Sequence, residues 1–210
     1  NGGGYVTVGT GTYDPTKILV LASGVRPGIL ASALPAAHIN WSTYIGTQGN
    51  DAFFDAAHDP NNNNAVVAVG ATTNAEFPNV NGSFTHKGNI DGIICKFKES
   101  GELLWTSYYG TELRDQGGIS HVAIKSTGEI YFMAGVSDPG TPRLQSKTGA
   151  FYVDNTTHPN GTRVLGALDK NGNILNYATH FGNYSKVNRM VFDNSDNLYL
   201  VGAFDDISYS

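Results

Sequence analysis

The sequence predicts an all-β chain assembled from repeats of one four-stranded antiparallel sheet. Two recurring motifs and one compositional bias lead there. The first motif is Trp41-Ser42-Thr43-Tyr44-Ile45-Gly46, which returns as Trp105-Thr106-Ser107-Tyr108-Tyr109-Gly110 and, with drift, as Tyr177-Ala178-Thr179-His180-Phe181-Gly182. The second is a strand-forming run closed by glycine. It occurs as Tyr5-Val6-Thr7-Val8-Gly9, Val66-Val67-Ala68-Val69-Gly70, Tyr131-Phe132-Met133-Ala134-Gly135 and Leu198-Tyr199-Leu200-Val201-Gly202. The first motif recurs after 64 residues (Trp41 to Trp105) and again after 72 (Trp105 to Tyr177). A recurrence on this scale marks a repeat architecture. The bias is toward turn formers: 26 glycines and 20 asparagines against only 15% charged residues, which suits many short strands better than helices.

Taken in order, residues 1–46 hold strands at 5–8, 17–22 and 39–45. The intervening stretch 25–37 carries Pro27, Gly28 and Pro35 and reads as a loop with one helical turn at 29–34. Residues 47–110 hold four strands, at 53–58, 66–69, 92–98 and 102–109. Asp59-Pro60-Asn61-Asn62-Asn63-Asn64 makes the first turn, because Asn and Asp tolerate a left-handed backbone. Glu99-Ser100-Gly101 makes the last. Residues 111–182 repeat the plan at 119–125, 129–134, 162–168 and 173–181, with turns at 126–128 and 169–172. Residues 183–210 offer two strands, at 187–192 and 197–201, around the turn 193–196.

The second-motif strands are apolar at nearly every position, without clean alternation, and such strands are covered on both faces. No amphipathic helix pattern of useful length exists to cover them, so another sheet on each side must do it. Four-stranded antiparallel sheets stacked face to face are the blades of a β-propeller. On this reading 1–46 and 183–210 are partial blades and 47–110 and 111–182 complete ones. The thirteen or so strands fall short of a closed ring, so the expected partners are the rest of a larger polypeptide or other copies covering the end blades.

Composition narrows the function. The net charge is −5 and the 13 Lys and Arg are scattered, which gives no electrostatic footprint for nucleic acid or an anionic membrane. The longest purely apolar run, 18–22, is far short of the ~20 residues a spanning helix needs. Cys95 is the only cysteine. It sits in a strand-like run and reads as a small buried hydrophobe.

The middle repeat also resembles a known family. Asn81-Gly82-Ser83-Phe84, Asp91-Gly92-Ile93-Ile94-Cys95-Lys96-Phe97 and Ser100-Gly101-Glu102-Leu103-Leu104-Trp105-Thr106-Ser107-Tyr108-Tyr109-Gly110 are similar to the bacterial seven-bladed β-propeller (SBBP) repeat. Thr72-Thr73-Asn74-Ala75-Glu76-Phe77-Pro78 looks like that family's segment after the glycine-closed strand. The resemblance spans most of 39–202 and thins in the third unit, where Asn176-Tyr177 replaces the tryptophan and Asp138-Pro139-Gly140 breaks the Phe-Pro pattern. It implies a secreted or cell-surface bacterial scaffold with no shared catalytic residues and carries architecture more than chemistry.

The residues with a claim to function are therefore few. Trp41, Tyr44, Gly46, Gly70, Trp105, Tyr108, Gly110, Gly135, Tyr177, Gly182 and Gly202 recur at fixed places in the repeat, so packing between sheets accounts for them better than ligand stacking. Asp169, Asn171, Asn173, Asp193 and Ser195 resemble the opening of oxygen-rich calcium loops, but no loop-closing Glu follows and hairpin turns are due at both places. Calcium is thus a weak candidate and no other cofactor is expected. Asn155 and Asn160 are candidate glycosylation positions in a long loop. The expected function is a non-enzymatic scaffold binding protein or glycan through the long loops 71–90 and 136–161. The alternative is a propeller hydrolase or lyase with its site in the central channel, which would need a single-copy cluster of His and carboxylates near that channel.

Overall fold

The computed structural model describes residues 41–59, 61–78, 81, 85–86, 89–110, 117–136, 162–172, 175–181 and 186–203. The chain divides into two compact units, Asn1–Tyr44 and Ile45–Ser210. Only 41–44 of the first unit are described, so the architecture that follows is that of the second. No helix occurs among the described residues.

The second unit holds three antiparallel sheets, each in simple chain order. Strands β1 (Asp51–Asp59), β2 (Ala65–Thr72), β3 (Asp91–Phe97) and β4 (Leu103–Tyr109) form the first. Strands β5 (Ile119–Ile124), β6 (Ile130–Val136), β7 (Thr162–Leu168) and β8 (Leu175–Phe181) form the second. Strands β9 (Lys186–Phe192) and β10 (Leu198–Ala203) form a hairpin. These follow the expected strands to within a few residues. One expectation fails: Trp41–Ile45 carries no regular strand. A strand exists only with a ladder partner, and the expected neighbours at 5–8 and 17–22 lie outside the described residues.

Four of the turns share one construction. At the β3–β4 turn, Lys98 N–H donates to Glu102 O at 2.8 Å and Gly101 N–H to Lys98 O at 2.9 Å. Lys125, Gly128 and Glu129 repeat this, as do Asp193, Asp196 and Asn197, and Gly172 N–H donates to Asp169 O in the same way. The left-handed position falls on Gly101, Gly128 and Gly172, and on Asp196 (φ 62) in the last hairpin. Asp is one of the few L-residues that accepts it at modest cost. The asparagine-rich turn uses the same tolerance, with Asn63 and Asn64 both at φ 53.

Gly70 and Gly202 close the second motif for a steric reason. Each lies opposite the first strand of its sheet beside a bulge, between Phe53 and Asp55 in one case and beside Val201 in the other. A Cβ on Gly70 would occupy the space of the Ala52 carbonyl, and one on Gly202 that of the Lys186 carbonyl. Gly135 sits beside the corresponding bulge of β5, between Ile119 and His121, and donates its N–H to Gly118 O at 3.0 Å.

Packing repeats as faithfully as hydrogen bonding. At the first joint, Val67 and Val69 of β2 share a core with Ile119 and Val122 of β5 and Ile130 and Phe132 of β6. At the second, Ala123 and Met133 of the middle sheet share a core with Val187 and Met190 of β9. The first strands carry both joints, β5 lying against β1 on one side and β9 on the other. For β6 the burial on both faces read from its unbroken apolar run is met by a sheet on each side, whereas β10 is largely exposed.

Two further contacts lock the first joint. Trp105, 7% exposed, lays its indole on the backbone of Gly172 in the β7–β8 turn. A Cβ there would meet three ring atoms at 2.9 Å, and the φ of +76 also disfavours a side chain. Lys96 Nζ lies 3.4 Å from Asp59 Oδ2 and donates to Lys170 O of the neighbouring sheet at 3.0 Å, with both ionised side chains buried. Burial pushes the Lys96 ammonium below its ordinary value, and the Asp59 carboxylate offsets part of that.

Trp105→Ala is expected to destabilise the second unit by about 3–5 kcal/mol, the range for large aromatic truncations, measured by reversible denaturation. A loss near zero would disprove the packing role. Asp59→Ala should cost a similar ~3–5 kcal/mol by stranding a buried ammonium, while Asp59→Leu with Lys96→Met recovers most of it. The sign of the pH effect follows from the lowered Lys96 value. The folded chain releases this proton more readily than the unfolded chain, whose lysine titrates near 10.5, so stability gained from deprotonation grows as pH rises toward 10.5. The Asp59→Ala deficit should accordingly shrink between pH 7 and pH 10.

Candidate functional site

The bulges of the first strands create the one place where a histidine and a carboxylate from different sheets meet in the described residues. A bulge turns the next side chain off the ladder, and the residue just past each bulge is Asp55 in β1, His121 in β5 and Arg189 in β9. Asp55 Oδ2 accepts the Val122 N–H at 3.0 Å and lies 3.7 Å from His121 Nδ1. His121 Nε2 lies 2.8 Å from the Val187 carbonyl. A line of polar contacts thus runs from β1 through β5 to β9.

The protonation pattern follows from the partners. A carbonyl only accepts, so Nε2 donates to Val187 O, while Nδ1 faces the Asp55 carboxylate. A catalytic His–carboxylate pair needs one side open: the carboxylate holds one N–H and the other nitrogen stays available for the proton it abstracts. Here the second nitrogen is engaged by main chain. The neighbouring hydroxyl, Ser120 Oγ, donates to Met133 O at 3.3 Å within its own sheet. The arrangement is built to clamp three strands together, and as drawn it has no nitrogen free for base catalysis.

A second polar line joins the turns. Asn61 Nδ2 donates to Ser126 O at 3.1 Å, and Ser126 N–H and Oγ donate to Asp196 at 2.9 and 2.6 Å. The Ser126 donors hold the Asp196 carboxyl below the usual range.

The calcium candidates are occupied by their own turns. Asp169 Oδ1 accepts the Asn171 N–H at 2.8 Å. Asp193 Oδ1 accepts N–H groups from Ser195 and Asn197, and Oδ2 accepts from Asn197 Nδ2 and the Tyr199 hydroxyl. These donors, the Asn197 side chain first, lower the Asp193 carboxyl. No group of three His, Cys, Asp or Glu gathers as a metal site among the described residues. Asn173, Gly182, Asn155 and Asn160 lie outside those residues, as does loop 137–161. Tyr177 stands on β8 opposite Ala167.

The repeated aromatics do not behave alike. Tyr108 is 2% exposed and donates its hydroxyl to Phe77 O at 2.6 Å. Burial first, then the Asp91 and Asp51 carboxylates nearby, pushes its phenol up to about 12. Tyr44 is 65% exposed and Trp41 half-buried. What covers Tyr108 is the segment after β2, whose counterpart for Tyr44 lies outside the described residues. That segment also revises the reading of 71–90 as a free binding loop. Thr73 N–H donates to Asn50 O, Thr72 Oγ1 donates to Asp51 Oδ1, and Phe77 is fully buried against Phe53. Ala71, Thr72 and Phe77 of this segment are buried, while Ala75 and Glu76 remain exposed. Cys95 is buried too, and burial pushes its thiol up to about 12, so it is inert as a nucleophile at neutral pH.

Asp55 and His121 escape a sequence reading because their bulges shift each by a different offset from the closing glycine. The usable signal is the residue facing the last positions before that glycine: Asp55 opposite Val69, His121 opposite Met133, Arg189 opposite Val201.

His121→Ala should lower stability by about 1–2 kcal/mol, the cost of leaving one partly buried carbonyl unpaired, in a denaturant titration of the whole chain. A loss above ~3 kcal/mol would mean that the ring is a core element and the clamp secondary.

Compared with known proteins, the chain matches no family model and no curated sequence.

Proposed function

We propose that this chain is a non-enzymatic β-propeller repeat module, secreted or at a bacterial cell surface, that scaffolds protein or glycan ligands on its inter-strand loops. The observation that carries the reading is the repetition of one joint. Successive sheets use the same strand order, the same bulge beside the closing glycine and the same apolar positions, so each repeat adds one sheet along a line of first strands. Such stacks are rigid and neighbour-to-neighbour, which leaves loops free to diversify. The likeness of 72–110 to the SBBP repeat adds the surface location. In this reading the rest of a larger polypeptide or further copies cover the end sheets, and no cofactor is needed.

The alternative is a propeller hydrolase or lyase with a channel site. It draws on the His121–Asp55 pair, since first strands would line that channel. The Nε2 bond to Val187 O weighs against it.

Probing the purified chain on a glycan array and against surface proteins should give a ligand whose binding is lost when residues 137–161 are replaced by a short Gly/Ser loop, with the melting temperature unchanged. Binding that survives the replacement would refute the loop assignment. Glycoside or polysaccharide turnover that disappears in His121→Ala would establish the enzyme instead.

A further inference from the structure

His121 touches both joints at once, and each of its ring nitrogens meets an acceptor. Nε2 lies 2.8 Å from the Val187 carbonyl of β9, and Nδ1 lies 3.7 Å from Asp55 Oδ2 of β1. A neutral imidazole has one N–H and can serve only one of these partners as a donor. The imidazolium has two and serves both. Asp55 is fixed in place to receive it. Its Oδ1 accepts the Ala56 N–H at 2.9 Å and its Oδ2 the Val122 N–H at 3.0 Å, so the carboxylate cannot swing away without losing main-chain bonds. The 3.7 Å contact is an ion-pair distance, too long for a hydrogen bond. Its strength therefore depends on whether the ring is charged.

We propose that His121 makes the stack of sheets acid-tightened: with two ring protons it binds Asp55 as a cation while keeping the Val187 carbonyl, and with one it holds only β9. Histidine is the side chain whose charge changes between about pH 5 and 8. The tie from β5 to Asp55 is thus present in mild acid and lost as pH rises through that range, leaving the Val122 N–H and the apolar packing at this point of the joint. The other charges on the elements packed against β5 leave the pair to itself. On β1, Asp51 is bonded by Thr47 and Thr72, Asp59 is paired with Lys96 of β3, and His58 points to the opposite face by strand alternation. Asp91 of β3 faces His86. β2 has no ionisable side chain, and β6 has only Tyr131, whose ring packs on Phe192. β9 carries Lys186 and Arg189, which oppose a second proton on the ring. Both are exposed, where water and salt screen them.

The inference is independent of what the loops bind. A double-mutant cycle on the whole chain isolates the contact, with Asp55→Asn, His121→Gln and the two together. Glutamine keeps a donor for the Val187 carbonyl and asparagine keeps an acceptor for the Val122 N–H, so the cycle removes the charges and spares the main-chain bonds. Denaturant titrations are run at about pH 5.5 and about pH 8, either side of the histidine range. The coupling should change the unfolding equilibrium constant by roughly threefold in acid, as for a partly exposed ion pair, and by nothing measurable at the higher pH. High salt should reduce the acid value. A coupling equal at both pH values would overturn the proposal and make the contact one of neutral packing, and so would one that grows toward the higher pH. Should a variant fail to fold, nitrogen NMR of the intact chain reads the ring directly. Both His121 nitrogens should carry protons in acid, and the Asp55 carboxylate signal should shift as the second proton leaves. A ring that titrates with no response at Asp55 would refute the proposal as well.

Discussion

The strands at the middle of these sheets have no polar face to give to water, and that constraint orders the rest. Val67 and Val69 look one way from β2, Ala68 the other, and β3 is buried at every residue. A sheet of this kind is unstable alone. With no helix at hand, its cover is another sheet, which then needs cover in turn. The first two sheets come close beside the closing glycine, where a side chain on Gly118, just before β5, would collide with Ala71 and the Gly70 carbonyl. Hydrophobic burial drives the stacking, and the glycine and bulge fix its geometry.

Much of this was legible in the residues. The positions of the ten described strands followed from apolar runs bounded by Gly, Asn and Asp, because turn chemistry is local. The burial of Trp105 followed from its recurrence. What it touches did not, since Gly172 lies far along the chain and a turn glycine looks alike whether it serves φ or an indole. Recurrence also misled. Tyr44 and Tyr108 share a motif, yet one is exposed and the other is covered by Phe77 and Pro78's segment. A repeat position fixes where a side chain points, and burial depends on what the neighbouring loop supplies.

The polar contacts between sheets were illegible for a different reason. Asp55, Asp59, Lys96 and His121 each look like ordinary strand or turn residues, and although Asp55 and His121 stand one repeat apart, the change of residue type between them hides the recurrence. Their pairing depends on the bulge offset and on which faces meet. The candidate site is thus a product of the third dimension: a histidine from one sheet held by a main-chain carbonyl of the next, with a carboxylate of the previous sheet beside it. Its chemistry reads as a clamp because both ring nitrogens already face partners.

The buried Lys96–Asp59 pair has a consequence for how the chain finds its order. The apolar joints are close to interchangeable: aliphatic and aromatic groups recur at matching positions, so a sheet could settle on the wrong neighbour with little loss of contact area. Repeat proteins are prone to that kind of misassembly. Among the described residues the pair occurs at one joint, and its ammonium finds a second acceptor only when the Lys170 carbonyl of the correct sheet arrives. Any other neighbour leaves an ammonium and a carboxylate dry and poorly bonded, at a cost of several kcal/mol. Two charges that contribute little to net stability can thus act as an address, telling otherwise similar sheets which one comes next.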